Sequence, residues 1–168
     1  MFHCFIAIVP LLFLNGCRGI ELPDGMPKLY PVTITITQEG KPLEGASVAL
    51  ISEDPSMSQW IAGGLTDASG NAVIQTLGKY KGAVPGKYLI TIVKQYAEPN
   101  KTQAPNPTTD PEGYGKYLNE IRRKPADAWD LIDPRYSTGK SPESIEVVKG
   151  RNQKTIEVGA AVRIKRAD

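Results

Sequence analysis

The sequence has little of what most often carries catalysis or binds metals. It contains two cysteines and one histidine, and all three lie within the first 17 residues. Because no histidine follows His3, the rest of the chain lacks Ser–His–Asp and Cys–His catalysis and zinc sites with His or Cys ligands. We therefore expect no enzyme activity, no metal ion and no cofactor.

The sequence also lacks a strong excess of either charge. Lys and Arg number 20 against 18 Asp and Glu, which leaves a net charge of +2. Proteins that bind nucleic acid present a strongly basic face, so we expect no nucleic-acid partner. The 168 residues suit one domain, and the 14 prolines and 16 glycines favour short strands and many turns over a helical bundle.

The sequence has no hydrophobic run long enough to cross a membrane. Its longest run, Phe2 to Leu14, is 13 residues, whereas a spanning helix needs about 20. That length is typical of the hydrophobic region of a secretory signal. A cytosolic alternative would bury the same run as a strand or helix.

The apolar run ends in Leu14-Asn15-Gly16-Cys17. This segment resembles the lipobox of bacterial lipoproteins. The resemblance implies that 1–16 is a removed signal peptide and that Cys17 is acylated. The protein would then be exported and held to a membrane by its lipid anchor in the bacterial cell envelope, periplasm-facing or at the cell surface. The alternative is cleavage by ordinary signal peptidase, with Cys17 as an unmodified thiol. Residues 17–28 are then expected to be the lipidated Cys and a short tether.

Alternating apolar residues and turn signals predict seven strands. Val32 to Thr37 alternates β-branched apolar residues with threonine, as expected of a half-buried strand. A closing hairpin is predicted from 144–148 and 155–165. The other predicted strands are 46–51, 60–66, 72–76 and 87–94. We therefore predict an all-β fold over 29–165, a seven-stranded immunoglobulin-like antiparallel β-sandwich.

Three segments of the body resemble a known family. They are GKPLEGASV at 40–48, TDASGN at 66–71 and PGKYLITI at 85–92, and they resemble the carboxypeptidase regulatory-like domain, a prealbumin (transthyretin-like) β-sandwich. IDPRY at 132–136 and IEVVKG at 145–150 are similar to its closing part in small bacterial lipoproteins. The resemblance implies an accessory or envelope-facing module without catalysis. Four glycines are expected in turns that need positive φ or a close approach: Gly40, Gly45, Gly70 and Gly86.

A Pro-rich insertion, 95–142, interrupts the sandwich between strands five and six. It holds seven of the 14 prolines. Within it an apolar stripe at helical spacing predicts a short helix that Pro125 ends. The stripe consists of Tyr114, Tyr117, Leu118 and Ile121. The insertion is therefore predicted to be partly helical.

Four aromatic residues of the insertion are the candidate ligand-binding residues: Tyr114, Tyr117, Trp129 and Tyr136. Aromatic rings beside polar, Pro-rich loops form stacking platforms for sugars or pockets for a partner protein. The alternative is that these rings pin the insertion onto the sandwich as a satellite cluster.

Three carboxylates recur near Trp129, at Asp127, Asp130 and Asp133. Two carboxylates flanking an aromatic are compatible with weak hydrolase chemistry, but such residues more often cap turns. The leading interpretation is a non-enzymatic, lipid-anchored cell-envelope protein, a structural or protein-interaction module whose partner is an envelope protein or polysaccharide. The alternatives are a carbohydrate-binding module and a carboxylate-based hydrolase.

Overall fold

The structure is a computed structural model that describes residues 21–97, 103–123 and 128–166. These residues contain short strands, one α-helix and two 3₁₀ helices, Pro55–Met57 and Pro134–Ser137. The other elements, in chain order, are β1 (Val32–Gln38), β2 (Lys41–Pro42), β3 (Ser47–Ser52), β4 (Ala62–Leu65), β5 (Asn71–Val73), β6 (Gln75–Thr76), β7 (Tyr80–Lys81), β8 (Gly86–Val93), β9 (Gln95–Ala97), α1 (Pro111–Arg123), β10 (Ala128–Asp130), β11 (Ser144–Val147), β12 (Asn152–Glu157) and β13 (Ile164–Lys165).

Two sheets form a β-sandwich around one apolar core. The larger sheet has the order β11-β8-β3-β4-β6-β7, with antiparallel neighbours throughout. In the smaller sheet, β1 pairs with β12 on one side and with β2 and β5 on the other. The predicted all-β sandwich is therefore confirmed, although β1 and β12 run parallel rather than antiparallel.

The alternation of β1 explains how the smaller sheet packs. Val32, Ile34 and Ile36 are buried in the core, while the threonines between them lie on the outer side. Burying three β-branched side chains from one strand contributes several kcal/mol, at roughly 25 cal/mol per Å² of apolar surface. Residues of β3, β8, β11 and β12 complete the same core.

The predicted closing hairpin is wrong. β11 pairs with β8 in the larger sheet, whereas β12 pairs with β1 in the smaller one. Val147 and Ile156 enter the core from opposite sheets, and this burial outweighs the local turn signal at 149–152. The predicted strand 155–165 is also shorter: β12 ends at Glu157, and Gly159 adopts a φ of +78°.

Two other predicted strands also differ in detail. Residues 72–76 divide between the two sheets, because β5 pairs with β1 whereas β6 pairs with β4. The predicted 60–66 strand shortens to Ala62–Leu65. The four glycines expected at positive φ all have it, with values of +73°, +67°, +75° and +150° in chain order.

The insertion contributes to three different parts of the molecule. Its predicted helix is present as α1, and β9 and β10 join β13 in a small third sheet of order β13-β10-β9. Ile132 and Tyr136, from the later part of the insertion, belong to the core of the sandwich. Within the described ranges, no helix is both long and apolar enough to cross a membrane.

Candidate functional site

The third sheet places two aromatic rings and a guanidinium group on the surface. Tyr96 and Trp129 are directly paired across β9 and β10, and their ring centroids lie 6.0 Å apart at an interplanar angle of 33°. The guanidinium carbon of Arg163 lies 4.6 Å from the Trp129 ring centroid and 5.8 Å from that of Tyr96. We call these three residues the aromatic–arginine cluster.

Backbone pairing in the sheet positions Tyr96 and Trp129, and Arg163 directly precedes the third strand. Trp129 is opposite Tyr96 on one side and Lys165 on the other, and Arg166 N–H donates to the Ala128 carbonyl at 2.9 Å. Arg163 precedes β13 by one residue and lies over both rings. A cation over Tyr or Trp is stabilised by the quadrupole of the ring.

The cluster has the composition of a binding surface. Tyr96 is 44% exposed, and Trp129 is half-buried. Trp, Tyr and Arg are the residues that most often carry binding energy at protein interfaces, because they supply large rigid contacts and hydrogen-bond donors together. The cluster can therefore stack against a planar or apolar group and attract a negative charge.

The structure separates the four sequence-predicted aromatic residues. Trp129 lies in the third sheet, whereas Tyr114 and Tyr117 stack on each other along α1 with ring centroids 6.3 Å apart. Tyr136 is 3% exposed, and its hydroxyl accepts a hydrogen bond from Arg135 at 3.0 Å. Tyr136 is thus a core residue, and its ring is closed to a ligand.

Tyr96 and Arg163 were not among the candidates that the sequence suggested. Tyr96 lies 33 residues before Trp129 and Arg163 lies 34 residues after it, and strands of two or three residues are too short to show a periodic pattern. The available signal was the density of aromatics in the insertion, which includes Tyr96 but does not show which rings meet.

A second surface feature is a polar cleft of about 460 Å³ on the outer side of the smaller sheet. Pairing sets Thr35 between Asn71 and Thr155, and Thr33 between Val73 and Gln153. The Thr35 hydroxyl donates to Asn71 Oδ1 at 2.7 Å. The cleft offers hydroxyl and amide groups for hydrogen bonding.

Two of the three carboxylates considered for hydrolase chemistry, Asp130 and Asp133, lie in the described residues. Both accept hydrogen bonds from nearby groups of the fold. Asp133 accepts a hydrogen bond from Arg135 N–H at 2.9 Å and caps the 3₁₀ helix Pro134–Ser137, which is the capping role weighed for it. Asp130 accepts from Gln95 Nε2 at 3.1 Å. Asp127 lies outside the described residues, as does Cys17.

The turn at 67–71 is an Asx turn. Asp67 Oδ1 accepts from the backbone N–H groups of Ser69 and Asn71, both at 2.9 Å. In the part of the chain that the structure describes, no three His, Cys, Asp or Glu residues are grouped closely enough to hold a metal ion.

The clear pKa shifts occur at groups with structural roles. Burial raises the pKa of Tyr88, whose hydroxyl donates to the Val84 carbonyl at 2.7 Å. Hydrogen bonds from the Ser56 hydroxyl and N–H lower the pKa of Asp54, which caps the first 3₁₀ helix. Neither group lies in the aromatic–arginine cluster.

Comparison with known proteins identifies no family for this chain. No family model matches the sequence, and no curated protein matches it. The chain is similar in structure to the major pilin subunit of Bacillus cereus, with 13% identity, a TM-score of 0.40 and 79% of this chain covered. It is also similar to a 9R-lipoxygenase from Cyanothece PCC8801, with 13% identity, a TM-score of 0.37 and 82% covered. The chain spans only 30% of the pilin and 18% of the lipoxygenase.

Proposed function

We propose that the protein is a non-enzymatic, lipid-anchored module of the cell envelope that binds a partner protein through the aromatic–arginine cluster. The observation that carries the proposal is the cluster itself. Three segments far apart in sequence converge to hold Tyr96, Trp129 and Arg163 together at the surface, outside the core of the sandwich.

The charge around the cluster favours a partner with an acidic contact surface. Arg163, Lys165 and Arg166 lie in or beside β13. Within β9, β10 and β13, Asp130 is the one acidic residue. It is paired with Gln95 and Ile164 rather than with Tyr96, and its carboxylate accepts a hydrogen bond from Gln95. Opposite charges across an interface speed association and select the partner.

The anchor follows from the sequence resemblance to lipoproteins and to the carboxypeptidase regulatory-like domain. Acylation of Cys17 would hold the chain at the membrane, with residues up to Lys28 as the tether. Residues 21–28 form no helix or strand. Replacing Cys17 with Ser should move the protein from the membrane fraction to the soluble fraction, and unchanged partitioning would contradict the anchor.

Photo-cross-linking in intact cells tests the binding surface. A photoreactive phenylalanine analogue is placed at position 96 of the full chain, and the same analogue at position 73 of β5, an exposed site on the smaller sheet, is the matched control. We expect a discrete protein adduct from position 96 that Arg163→Glu reduces at least tenfold. Adducts that are equal at both positions, or unchanged in Arg163→Glu, would contradict the proposal.

Carbohydrate binding is the second candidate, and the partly exposed indole of Trp129 favours it. A sugar stacks on a ring face, but Arg163 already covers one face of this indole. The two candidates therefore respond differently to Arg163→Ala. Removing the guanidinium group weakens the binding of an acidic partner protein, whereas it opens the Trp129 ring face to a neutral sugar. Retention of the chain on envelope polysaccharide, measured with wild type and Arg163→Ala, distinguishes them.

A further inference from the structure

A groove that contains three lysines lies where the tether meets the sandwich. Its volume is about 400 Å³, and it is lined by Leu22, Lys28, Leu29, Lys79, Tyr80 and Lys81. We call these six residues the lysine groove. Its two halves come from distant segments, and backbone pairing joins those segments. Tyr30 follows the first half and Ala83 follows the second, and the two exchange hydrogen bonds of 2.9 and 3.0 Å. The groove is therefore a product of the fold and not of the tether alone.

The lysine groove combines positive charge with apolar side chains. Its three lysines are all exposed, and none of them forms an ion pair with a carboxylate of the residues that the structure describes. The acidic residues nearest in sequence, Glu21 and Asp24, belong to the tether and do not line the groove. Leu22, Leu29 and Tyr80 supply the apolar part. This combination is complementary to a negatively charged group that is attached to a hydrocarbon body.

The hairpin of β6 and β7, which supplies half of the groove, has an exposed leucine in its turn. Leu77 is 45% exposed and has a φ of +54°, and Gly78 follows it with a φ of +65°. A positive φ is unfavourable for leucine, and hairpin turns of this kind favour glycine or asparagine. The backbone is therefore strained at a leucine whose side chain is left partly in water. A leucine beside Lys79 and Tyr80 suits a membrane surface, where leucine enters the lipid, tyrosine lies among the headgroups and lysine extends its charge to the phosphates.

The tether brings this groove close to the proposed anchor. Leu22, which lines the groove, is five residues after Cys17. Five residues span at most about 18 Å when fully extended, at roughly 3.6 Å per residue. Acyl chains on Cys17 would enter the bilayer, so the lysine groove would lie within about 18 Å of the membrane surface.

We propose that the lysine groove and Leu77 dock on the anionic phospholipid headgroups of the membrane that holds the anchor. The lysines are attracted to the lipid phosphates, while Leu77 inserts among the acyl chains. Three lysines give only a modest attraction, so the contact orients an anchored chain and does not replace its anchor. The docking rests on the proposed anchor for the short distance between the groove and the bilayer.

Docking at this end of the sandwich would direct the aromatic–arginine cluster away from the membrane. Tyr30, beside the groove, precedes β1, whereas Gln38 ends β1 and donates from Nε2 to the Leu131 carbonyl at 3.0 Å. Leu131 directly follows β10 of the third sheet. A strand of seven residues is about 23 Å long, at roughly 3.3 Å per residue. The membrane contact and the partner surface would therefore lie at opposite ends of β1.

A genetically encoded fluorescent amino acid, whose emission shifts to the blue in lipid, tests the docking. It replaces Leu77 in the full chain, and the matched control replaces Leu65 instead. Leu65 is 65% exposed and lies at the end of β4 away from the residues that pair with β6. The chains are reconstituted into vesicles of phosphatidylcholine alone or of equal parts phosphatidylcholine and phosphatidylglycerol. We expect a blue shift at position 77 in the vesicles with phosphatidylglycerol, no shift there in neutral vesicles, and none at position 65 in either.

A charge reversal in the groove should remove this shift. Lys81→Glu should reduce the blue-shifted fraction at position 77 at least threefold, whereas Lys41→Glu should leave it unchanged. The two lysines are matched, because each is exposed in a strand of two residues and is paired with a glutamine, Gln75 for Lys81 and Gln38 for Lys41. Equal emission in the two kinds of vesicle, equal shifts at positions 77 and 65, or equal effects of the two lysine variants would overturn the proposal.

The docking and the anchor fail in different measurements. Unchanged membrane partitioning of Cys17→Ser contradicts the anchor. A shift at position 77 that does not depend on phosphatidylglycerol contradicts the docking, whichever way the chain is held at the vesicle.

Discussion

The hydroxyl of Thr37 donates a 2.7 Å hydrogen bond to the carboxylate of Glu157, although the two residues are 120 positions apart. They are paired in the parallel register of β1 and β12. The other carboxylate oxygen accepts from Glu39 N–H at 2.8 Å and from Gly159 N–H at 3.1 Å. One side chain thus joins the turn after β1 to the end of β12, and these bonds, led by the one from Thr37, lower the pKa of Glu157.

Glu157→Gln should therefore reduce the pH dependence of stability on the acid side. Because the pKa of Glu157 is lower in the folded protein than in the unfolded chain, its stabilisation is present at neutral pH and is lost as pH falls through the folded pKa. We expect the variant to melt a few degrees lower at neutral pH and to approach wild type in acid. Thermal melts from about pH 7 to about pH 3 measure this. Glu44→Gln, at an exposed turn, is the control. If the melting temperatures of wild type and Glu157→Gln fell in parallel as the pH is lowered, the prediction would be contradicted.

Tyr136 should behave as a core residue rather than a ligand-binding one. Its ring is buried with Ile132 and Ile156, and its hydroxyl lies 3.4 Å from the Glu157 carbonyl. Tyr136→Ala should lower the free energy of unfolding by about 3 to 5 kcal/mol. Tyr136→Phe keeps the ring and loses only hydrogen bonds, so it should cost about 1 kcal/mol.

Urea unfolding of both Tyr136 variants measures the two free energies. Tyr117→Ala is the comparison, because the Tyr117 ring lies on α1 and contributes nothing to the sandwich core. If Tyr136→Ala lowered the free energy of unfolding no more than Tyr117→Ala does, Tyr136 would again be a candidate for ligand binding at the surface.

The parts of the fold that sequence predicts are those encoded within one segment. The alternation of β1 and the helical spacing of α1 both depend on residues a few positions apart, and both elements appear where their patterns lie. The positive φ of Gly70 is likewise a local property of the turn that contains it.

The parts that sequence does not predict depend on which distant segments meet. β11 and β12 have hairpin-like sequences, but their partners are chosen by burial of Val147 and Ile156 in opposite sheets. The third sheet joins strands of two or three residues from three regions, so the contact of Tyr96 with Trp129 has no local signature. The core position of Tyr136 is likewise a long-range outcome.

Gly70 should be far less tolerant of substitution than Gly40, although both have similar φ values of +75° and +73°. A Cβ on Gly70 would lie 2.5 Å from the Ile36 carbonyl oxygen and 3.2 Å from Leu43 N, whereas a Cβ on Gly40 would meet nothing within 4 Å. Gly40→Ala pays only for the left-handed backbone, about 1 kcal/mol. Gly70→Ala adds a clash with β1, so we expect roughly 3 kcal/mol. If urea unfolding gave equal losses of free energy for Gly40→Ala and Gly70→Ala, β1 would be able to move away from the added methyl group.

The chain crosses from the larger sheet to the smaller one between β11 and β12. We expect Asn152 to be the polar residue that contributes most to the stability of this connection. Its side chain is buried in the 148–152 loop, where Oδ1 accepts from Val148 N–H at 3.0 Å and Nδ2 donates to the carbonyls of Val148 and Gly150. A further bond from Nδ2 reaches the Pro31 carbonyl at 3.3 Å, directly before β1.

Asn152→Ala removes these bonds and leaves backbone groups of the loop without their partner. Since a buried unsatisfied polar group costs about 1 to 3 kcal/mol, we expect a loss near the upper end of that range. Gln153→Ala, at the neighbouring exposed position, should change stability by no more than about 0.5 kcal/mol. Hydrogen exchange should show faster exchange at Val148 N–H in Asn152→Ala, because this amide loses its acceptor. Unchanged protection there would mean that the backbone holds the crossing without the side chain.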